Sequence, residues 1–268
     1  MAQDHRAEEE ENLTEKGILS TEKVVKRFGG LRAVDGVTLS VRSNSITGLI
    51  GPNGSGKTTL FNVISGVYSP DEGHTYFNGK RIDSLQPHEI WARGLVRTFQ
   101  IPRLYRRLTV LDNLMLGAVG NVGEGFLGVF RNWKAWRRQE EQIAERAIDV
   151  LGLLELDKLA SAPASDISGG QMKLLEIGRA LMSEPKMLLL DEPAAGVNPT
   201  MARRIFERIT HLREKLGLTF FIIEHRIDVL SEHADKICVM HEGQIIAEGP
   251  PEDVVKDPHV ISVYLGEG

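Results

Sequence analysis

The patterned part of the chain begins with "ILSTEKVVKRFGGLRAVDGVTLSVRSNSITGLIG", where apolar and polar residues alternate between glycine and asparagine breaks. A period of two belongs to a strand with one buried face, so the stretch predicts a small antiparallel sheet. At its end "SITGLI" (45 to 50) reads as a buried strand. It runs into "GPNGSGKTTLFNVISG", a glycine-rich loop followed by a helix. Further on, "GHTYFNGKRI" predicts a hairpin that turns at Asn78-Gly79, a pair suited to the positive φ angles of a tight turn.

From about 101 to 171 the period lengthens. "LTVLDNLMLGA", a glycine-broken stretch and "RRQEEQIAERAIDVLGLLEL" predict mainly helix, with Ile143, Ala147, Val150 and Leu154 recurring at helical spacing. After it the α/β pattern resumes. Leu174, Ile177, Gly178 and Leu181 mark a helix face, and "KMLLLDE" is a buried strand. Asn198-Pro199 is a helix start, with Ile205, Ile209, Leu212 and Leu216 as that helix's apolar stripe. "TFFIIEH" and "KICVMHEGQIIAEG" add strands. The expected organisation is a tail over 1–18 and one domain over 19–268. Its core and β subdomain fall in 19–100 and 172–268, around a helical subdomain at 101–171. No internal repeat is visible, so the unit occurs once.

Composition narrows the class. The 268 residues are 41% hydrophobic and carry a net charge of −5, enough apolar material for a real core and no global bias towards nucleic acid. One cysteine, Cys238, excludes an internal disulfide; in the apolar run "KICVM" it reads as a buried strand residue, which suits a reducing cytoplasm. No run approaches the roughly 20 apolar residues of a membrane-spanning helix. The N-terminal "MAQDHRAEEEENLTEKG" is acidic and polar, unlike a signal peptide, and reads as a disordered, solvated tail. Any link to a membrane must therefore run through partners.

Three stretches carry chemistry. "GPNGSGKT" fits G-x-x-x-x-G-K-[ST], the phosphate-binding P-loop, and it stands in the required place between a strand and a helix. Gly51, Pro52, Asn53, Gly54, Ser55, Gly56, Lys57, Thr58 and Thr59 would cradle phosphates with backbone N–H groups at a positive helix end. Lys57 would reach the β- and γ-phosphates, and the Thr58 hydroxyl would ligate Mg²⁺. "MLLLDE" brings Asp191 to the end of a buried strand, where it would hold Mg²⁺ through water, beside Glu192, placed to orient or deprotonate a water. Alone, that pair could also be a helix cap; the P-loop in the same chain gives it meaning. His225 ends the next strand in "FFIIEHR" and so shares the carboxyl edge of the sheet. It fits a γ-phosphate or water-positioning contact, against the alternative of a structural surface histidine.

In order, the P-loop, a glutamine after a strand (Gln100), "ISGGQ", "LLLDE" and the strand-end histidine resemble the ATP-binding cassette (ABC) ATPases over residues 19 to 268. The resemblance implies a P-loop NTPase (RecA-like) α/β core with an antiparallel β subdomain and an inserted α-helical subdomain. It further implies ATP and Mg²⁺ as ligands and head-to-tail pairing with a second cassette. On it, Ser168, Gly169 and Gly170 would grip the γ-phosphate of the partner's ATP, with Gln171 near its ribose. Gln100 would touch Mg²⁺ and the attacking water, and Phe28 would stack on adenine where tyrosine is commoner. The alternative for Phe28 is a hairpin or core aromatic. Ile167 stands where leucine is usual, and Asn198 where an aspartate is common, so Asn198 can cap a helix but carries no charge across an interface.

"GLVRTFQ" (94 to 100), "DEPAAGVNP", "IIEHR" and "VYLGEG" further resemble the ATP-binding subunits of high-affinity branched-chain amino-acid importers, of the LivG type. That implies integral-membrane permease subunits, a homo- or heteromeric cassette pair, indirect action of a periplasmic or extracellular solute-binding protein, and a peripheral place on the cytoplasmic face of the membrane. "IPRLYRRLTV", after Gln100, would then contact the permeases. Urea or lipopolysaccharide cassettes share much of the pattern. A soluble non-transport ABC ATPase and a non-hydrolysing nucleotide sensor are alternatives, the latter opposed by Glu192. "FLGVFRNWKAWRRQEEQ" mixes Phe126, Phe130, Trp133 and Trp136 with Arg131, Lys134, Arg137 and Arg138, which suits a headgroup surface or partner groove as well as a packed helix.

Overall fold

The early alternation becomes β1 (Leu19–Phe28) and β2 (Leu31–Val41), and the expected hairpin becomes β4 (Glu72–Phe77) and β5 (Lys80–Arg81). In this computed structural model, which describes residues 17–98, 104–118 and 133–265, these strands form an antiparallel sheet in the order β2-β1-β4-β5. Asn78 (φ 49) and Gly79 (φ 68) both take left-handed backbone, the requirement of the two-residue turn read from their identities. Ile18, assigned to the tail, lies just before β1, where it is buried and its N–H donates to Val41 O at 2.8 Å.

The second sheet has six strands in the order β10-β9-β3-β8-β7-β6. They are β3 (Ile46–Ile50), β6 (Leu95–Arg97), β7 (Met187–Asp191), β8 (Thr219–Ile223), β9 (Lys236–His241) and β10 (Gln244–Gly249). All neighbours pair parallel except β10 with β9. β3, β7 and β8 are buried along their whole length, as strands covered on both faces must be. The carboxyl ends of β3, β8 and β7 therefore lie side by side on one edge. Helix α1 (Lys57–Ile64) sends Leu60, Phe61 and Ile64 into a shared apolar core with Leu49, Leu189 and Phe221. The short helix α2 (Pro87–Ala92), which the periodicity did not predict, starts at a proline with a Gln86–Glu89 capping box and packs on β6. Cys238 lies on β9 with no exposure, and burial pushes its thiol up to about 12, so it stays an unreactive packing residue.

The chain divides into two compact units. The first holds the described residues up to Arg97, then Lys186–Pro193 and those from Leu212 onward; it contains both sheets. The second holds described residues between Thr98 and Pro185, and Ala194–His211. There α3 (Val110–Met115) packs on α4 (Trp133–Leu153) and α5 (Gly169–Leu181). Thr109 and Asp112 cap α3 reciprocally, and Ala147, Val150 and Leu154 are buried as their spacing predicts. Gly178 fits here because a Cβ would come within 2.7 Å of Leu154 and 2.8 Å of Leu114. Helix α6 (Pro199–Leu216) begins in this unit, capped by Asn198, whose side chain accepts from the Met201 N–H at 2.8 Å. Its stripe needs one correction. Ile205, Ile209 and Leu212 are fully buried, but Leu216, the last residue of the helix, is half exposed; Ala202 and Phe206 complete the buried face. Among the described residues no helix is long and apolar enough to cross a membrane.

Candidate functional site

The site grows out of the carboxyl edge of the six-stranded sheet. Beyond Ile50 the chain turns through Gly51 (φ 149), Gly54 (φ 78) and Gly56 (φ 104) before α1 starts at Lys57. Gly56 is the N-cap and offers no side-chain cap, so the first-turn N–H groups of α1 are left for a ligand. The loop is braced from behind by a turn that sequence reading missed. Gly243, between β9 and β10, donates its N–H to Ser55 O at 3.0 Å and accepts from Asp35 N at 2.8 Å. Gly243 takes φ 82, a left-handed backbone that favours glycine, and a Cβ there would crowd Arg32 O at 3.1 Å.

Lys57 is almost wholly buried. Its ammonium donates to Gly51 O at 2.8 Å, Pro52 O at 2.7 Å and Ser55 Oγ at 3.3 Å. The charge is thus held inside the loop it would share with phosphate oxygens. Asn53, Gly54 and Thr58 are exposed and Thr59 half-buried; with Gly56 and Lys57 they line an open cleft of about 580 Å³. The other walls are Phe28, Glu192, His225 and the Glu242–Gly243 turn. Phe28 is 45% exposed, with its ring edge-on to Tyr68 at 5.3 Å. Its exposure rules out a core role, and it stands on the cleft at the end of the β1–β2 hairpin, with Lys26 Nζ 5.8 Å from its ring centre.

Asp191 and Glu192 leave β7 in opposite senses. Asp191 is 7% exposed and pairs with Arg97 at 2.9 Å. Glu192 takes left-handed backbone (φ 51), strained for a residue with a side chain, and its N–H is fixed by Ile223 O at 2.9 Å. The kink turns its carboxylate towards the end of β8, where Oε1 lies 3.0 Å from His225 Nε2. Of the predicted site, then, the P-loop, Phe28, Glu192 and His225 come together on one cleft.

The signature residues lie in the second unit. Ser168 and Gln171 cap α5 reciprocally: Gln171 N donates to Ser168 Oγ at 3.3 Å, and Ser168 N to Gln171 Oε1 at 2.8 Å. The two glycines differ. A Cβ at Gly169 would meet nothing, whereas at Gly170 it would strike Met201 Cγ at 2.3 Å. Gly169 thus keeps an open approach to the helix end, and Gly170 seats a side chain of α6. Gln100 and most of the 126–138 aromatic-basic stretch lie outside the described residues. In its described part Trp136 is half-buried and Arg137 and Arg138 are exposed, with Arg137 paired to Glu141 one turn on.

No metal-binding group of three or more histidine, cysteine or acidic residues occurs among the described residues. Magnesium does not require one, because it binds through one or two protein oxygens, water and substrate phosphates. The Thr58 hydroxyl and the Asp191 carboxylate are donors of that kind.

The ABC transporter family model matches residues 34–195, and a model of the branched-chain amino acid ATP-binding cassette transporter matches 244–268. The "Probable branched-chain amino acid transport ATP-binding protein LivG" of Methanocaldococcus jannaschii is 48% identical, over 93% of this chain and 98% of that protein. A solved structure of the ADP conformation of MJ1267, an ATP-binding cassette of an ABC transporter, superimposes with a TM-score of 0.82 at 46% identity, covering 93% of this chain and 98% of that one. The dimeric structure of MJ0796, a bacterial ABC transporter cassette, gives 0.69 at 25% identity, over 87% and 98%.

Proposed function

This chain belongs to the ABC transporter family, and from that premise we propose that it is the ATP-hydrolysing subunit that energises import of branched-chain amino acids through separate permease subunits. The observation that carries the reading is the single cleft that joins the P-loop to Glu192 and His225 at the ends of neighbouring parallel strands. The P-loop amides and Lys57 hold the β- and γ-phosphates, and Phe28 stacks on the adenine. Thr58 and Asp191 would hold Mg²⁺, which when bound supplies positive charge against that of the phosphates. Glu192 accepts the proton of the attacking water, and His225 keeps that carboxylate turned into the cleft. Gln100 is assigned by the family's order of motifs alone. Because phosphoryl transfer is mainly positioning and electrostatics, these preorganised donors carry most of the rate.

The cassette works as a pair, as the dimeric relative does, with Ser168, Gly169, Gly170 and Gln171 completing the partner's nucleotide site. It sits peripherally on the cytoplasmic face of the membrane, with 101–171 as the helical subdomain that meets the permeases. Reconstitution with its permeases, a solute-binding protein and its partner cassette is expected to give ATP-dependent leucine uptake. Uptake of urea instead would overturn the substrate, and hydrolysis without any transport would overturn the coupling.

The stacking assignment has its own test. Phe28→Ala is expected to weaken ATP binding by about 1–2 kcal/mol, roughly ten-fold, as loss of one aromatic stack does, while Phe28→Tyr leaves it unchanged. Titration with a fluorescent adenine nucleotide reads both. Equal affinity of the alanine variant and wild type would remove adenine from Phe28.

A further inference from the structure

The arginine of "GLVRTFQ" has a structural place of its own. Arg97 is the last residue of β6, in register with Leu189 of β7. Its side chain is 13% exposed, and its guanidinium reaches Asp191 at the end of β7. Nη2 donates to Asp191 Oδ2 at 2.9 Å, and Nη1 donates to Asn62 Oδ1 at 2.6 Å and Ser65 Oγ at 3.3 Å. The group also lies over the Phe61 ring, at 5.7 Å from its centre. Asn62, Ser65 and Phe61 all belong to the P-loop helix or its C-cap.

One planar fork therefore ties the carboxylate at the end of β7 to the helix that carries Lys57 and Thr58. A buried carboxylate is costly to keep charged unless a cation and well-aimed hydrogen bonds compensate it, and Arg97 supplies both. Lysine could supply the charge, but a point charge cannot hold two partners in fixed directions.

We propose that Arg97 is a positioning residue for magnesium: by clamping Asp191 Oδ2 to α1, it sets the direction in which Asp191 presents its other oxygen. The inference rests on Asp191 as a magnesium ligand. Arg97 itself is not among the residues that line the cleft.

The test compares ADP affinity with and without Mg²⁺, measured with a fluorescent nucleotide, alongside thermal melting to establish folding. In wild type Mg²⁺ is expected to tighten ADP. In Arg97→Met that tightening is expected to fall by about ten-fold, the loss usual when a partner of a metal ligand is removed, while metal-free ADP affinity stays within about two-fold. Arg97→Lys should recover only part of it. Asn62→Ala, which keeps the ion pair and cuts the brace, should lose about two- to five-fold. Full tightening in Arg97→Met, or full recovery in Arg97→Lys, overturns the clamp. If Arg97→Met does not fold, the lysine and Asn62 variants decide. Asp191→Asn separates the premise: if it keeps the full Mg²⁺ effect, Asp191 is no ligand and the reading beneath the inference fails instead.

Discussion

Glu192→Gln is expected to abolish turnover while the protein still binds ATP. Glutamine keeps the length of the side chain and an oxygen that can face His225 Nε2, now 3.0 Å from Oε1. It also keeps the backbone bond from Glu192 N to Ile223 O, so the kink at φ 51 has no new reason to relax. What disappears is a carboxylate able to take a proton from water. Loss of a positioned general base lowers the rate by about 10²- to 10⁴-fold. Phosphate release should fall by that factor, with nucleotide affinity unchanged and an ATP-bound dimer accumulating on gel filtration. A variant that turned over at the wild-type rate would move the base elsewhere.

Gly56→Ala is expected to weaken nucleotide binding strongly, for a different reason. The backbone there has φ 104, and a Cβ would stand 2.1 Å from Ala33 O and 2.8 Å from Met240 Cε. The first obstacle is a backbone oxygen of β2, which cannot rotate away as a side chain could. The loop must open, and with it the arrangement of amides around the phosphates. A strained residue alone costs about 1–3 kcal/mol, and the clash adds to it, so ADP affinity should fall by roughly 10²-fold. Gly54→Ala is the control. Its φ of 78 also disfavours a side chain, but its Cβ would meet no protein atom within 4 Å. Its loss should stay near ten-fold, about 1.4 kcal/mol, on the same titration. Equal losses at the two positions would show that backbone angle, not the approach of β2, shapes the loop.

The sequence made most of this legible where the causes are local. The P-loop could be read because wrapping phosphates needs consecutive amides, free backbone angles and a helix start, all within nine residues. The Asn78-Gly79 turn and the Asn198 cap were readable for the same reason: each depends on neighbours a few positions away. The buried strands showed as unbroken apolar runs. Leu216 failed because the stripe was extended by spacing to the end of the helix, where a side chain has left the covering layer.

The rest depends on which strands lie side by side. Nothing near Asp191 in the sequence announces Arg97, which is 94 positions away, and nothing near Arg97 announces Asn62, 35 away. The bracing turn at Gly243 touches Ser55 and Asp35 only because β9 lies beside β3 and β10 reaches β2. Glu155, itself at φ 56, draws Arg204 and Arg208 of α6 to 2.8 Å each, a contact between segments that spacing does not link. The sequence by itself determined the family, the phosphate cradle and the acidic and histidine residues at strand ends, since each is written in a few adjacent side chains. Only the tertiary structure decided how those residues are aimed. Their orientation is set by partners that strand order and register bring within hydrogen-bond reach, and these come from packing the whole core.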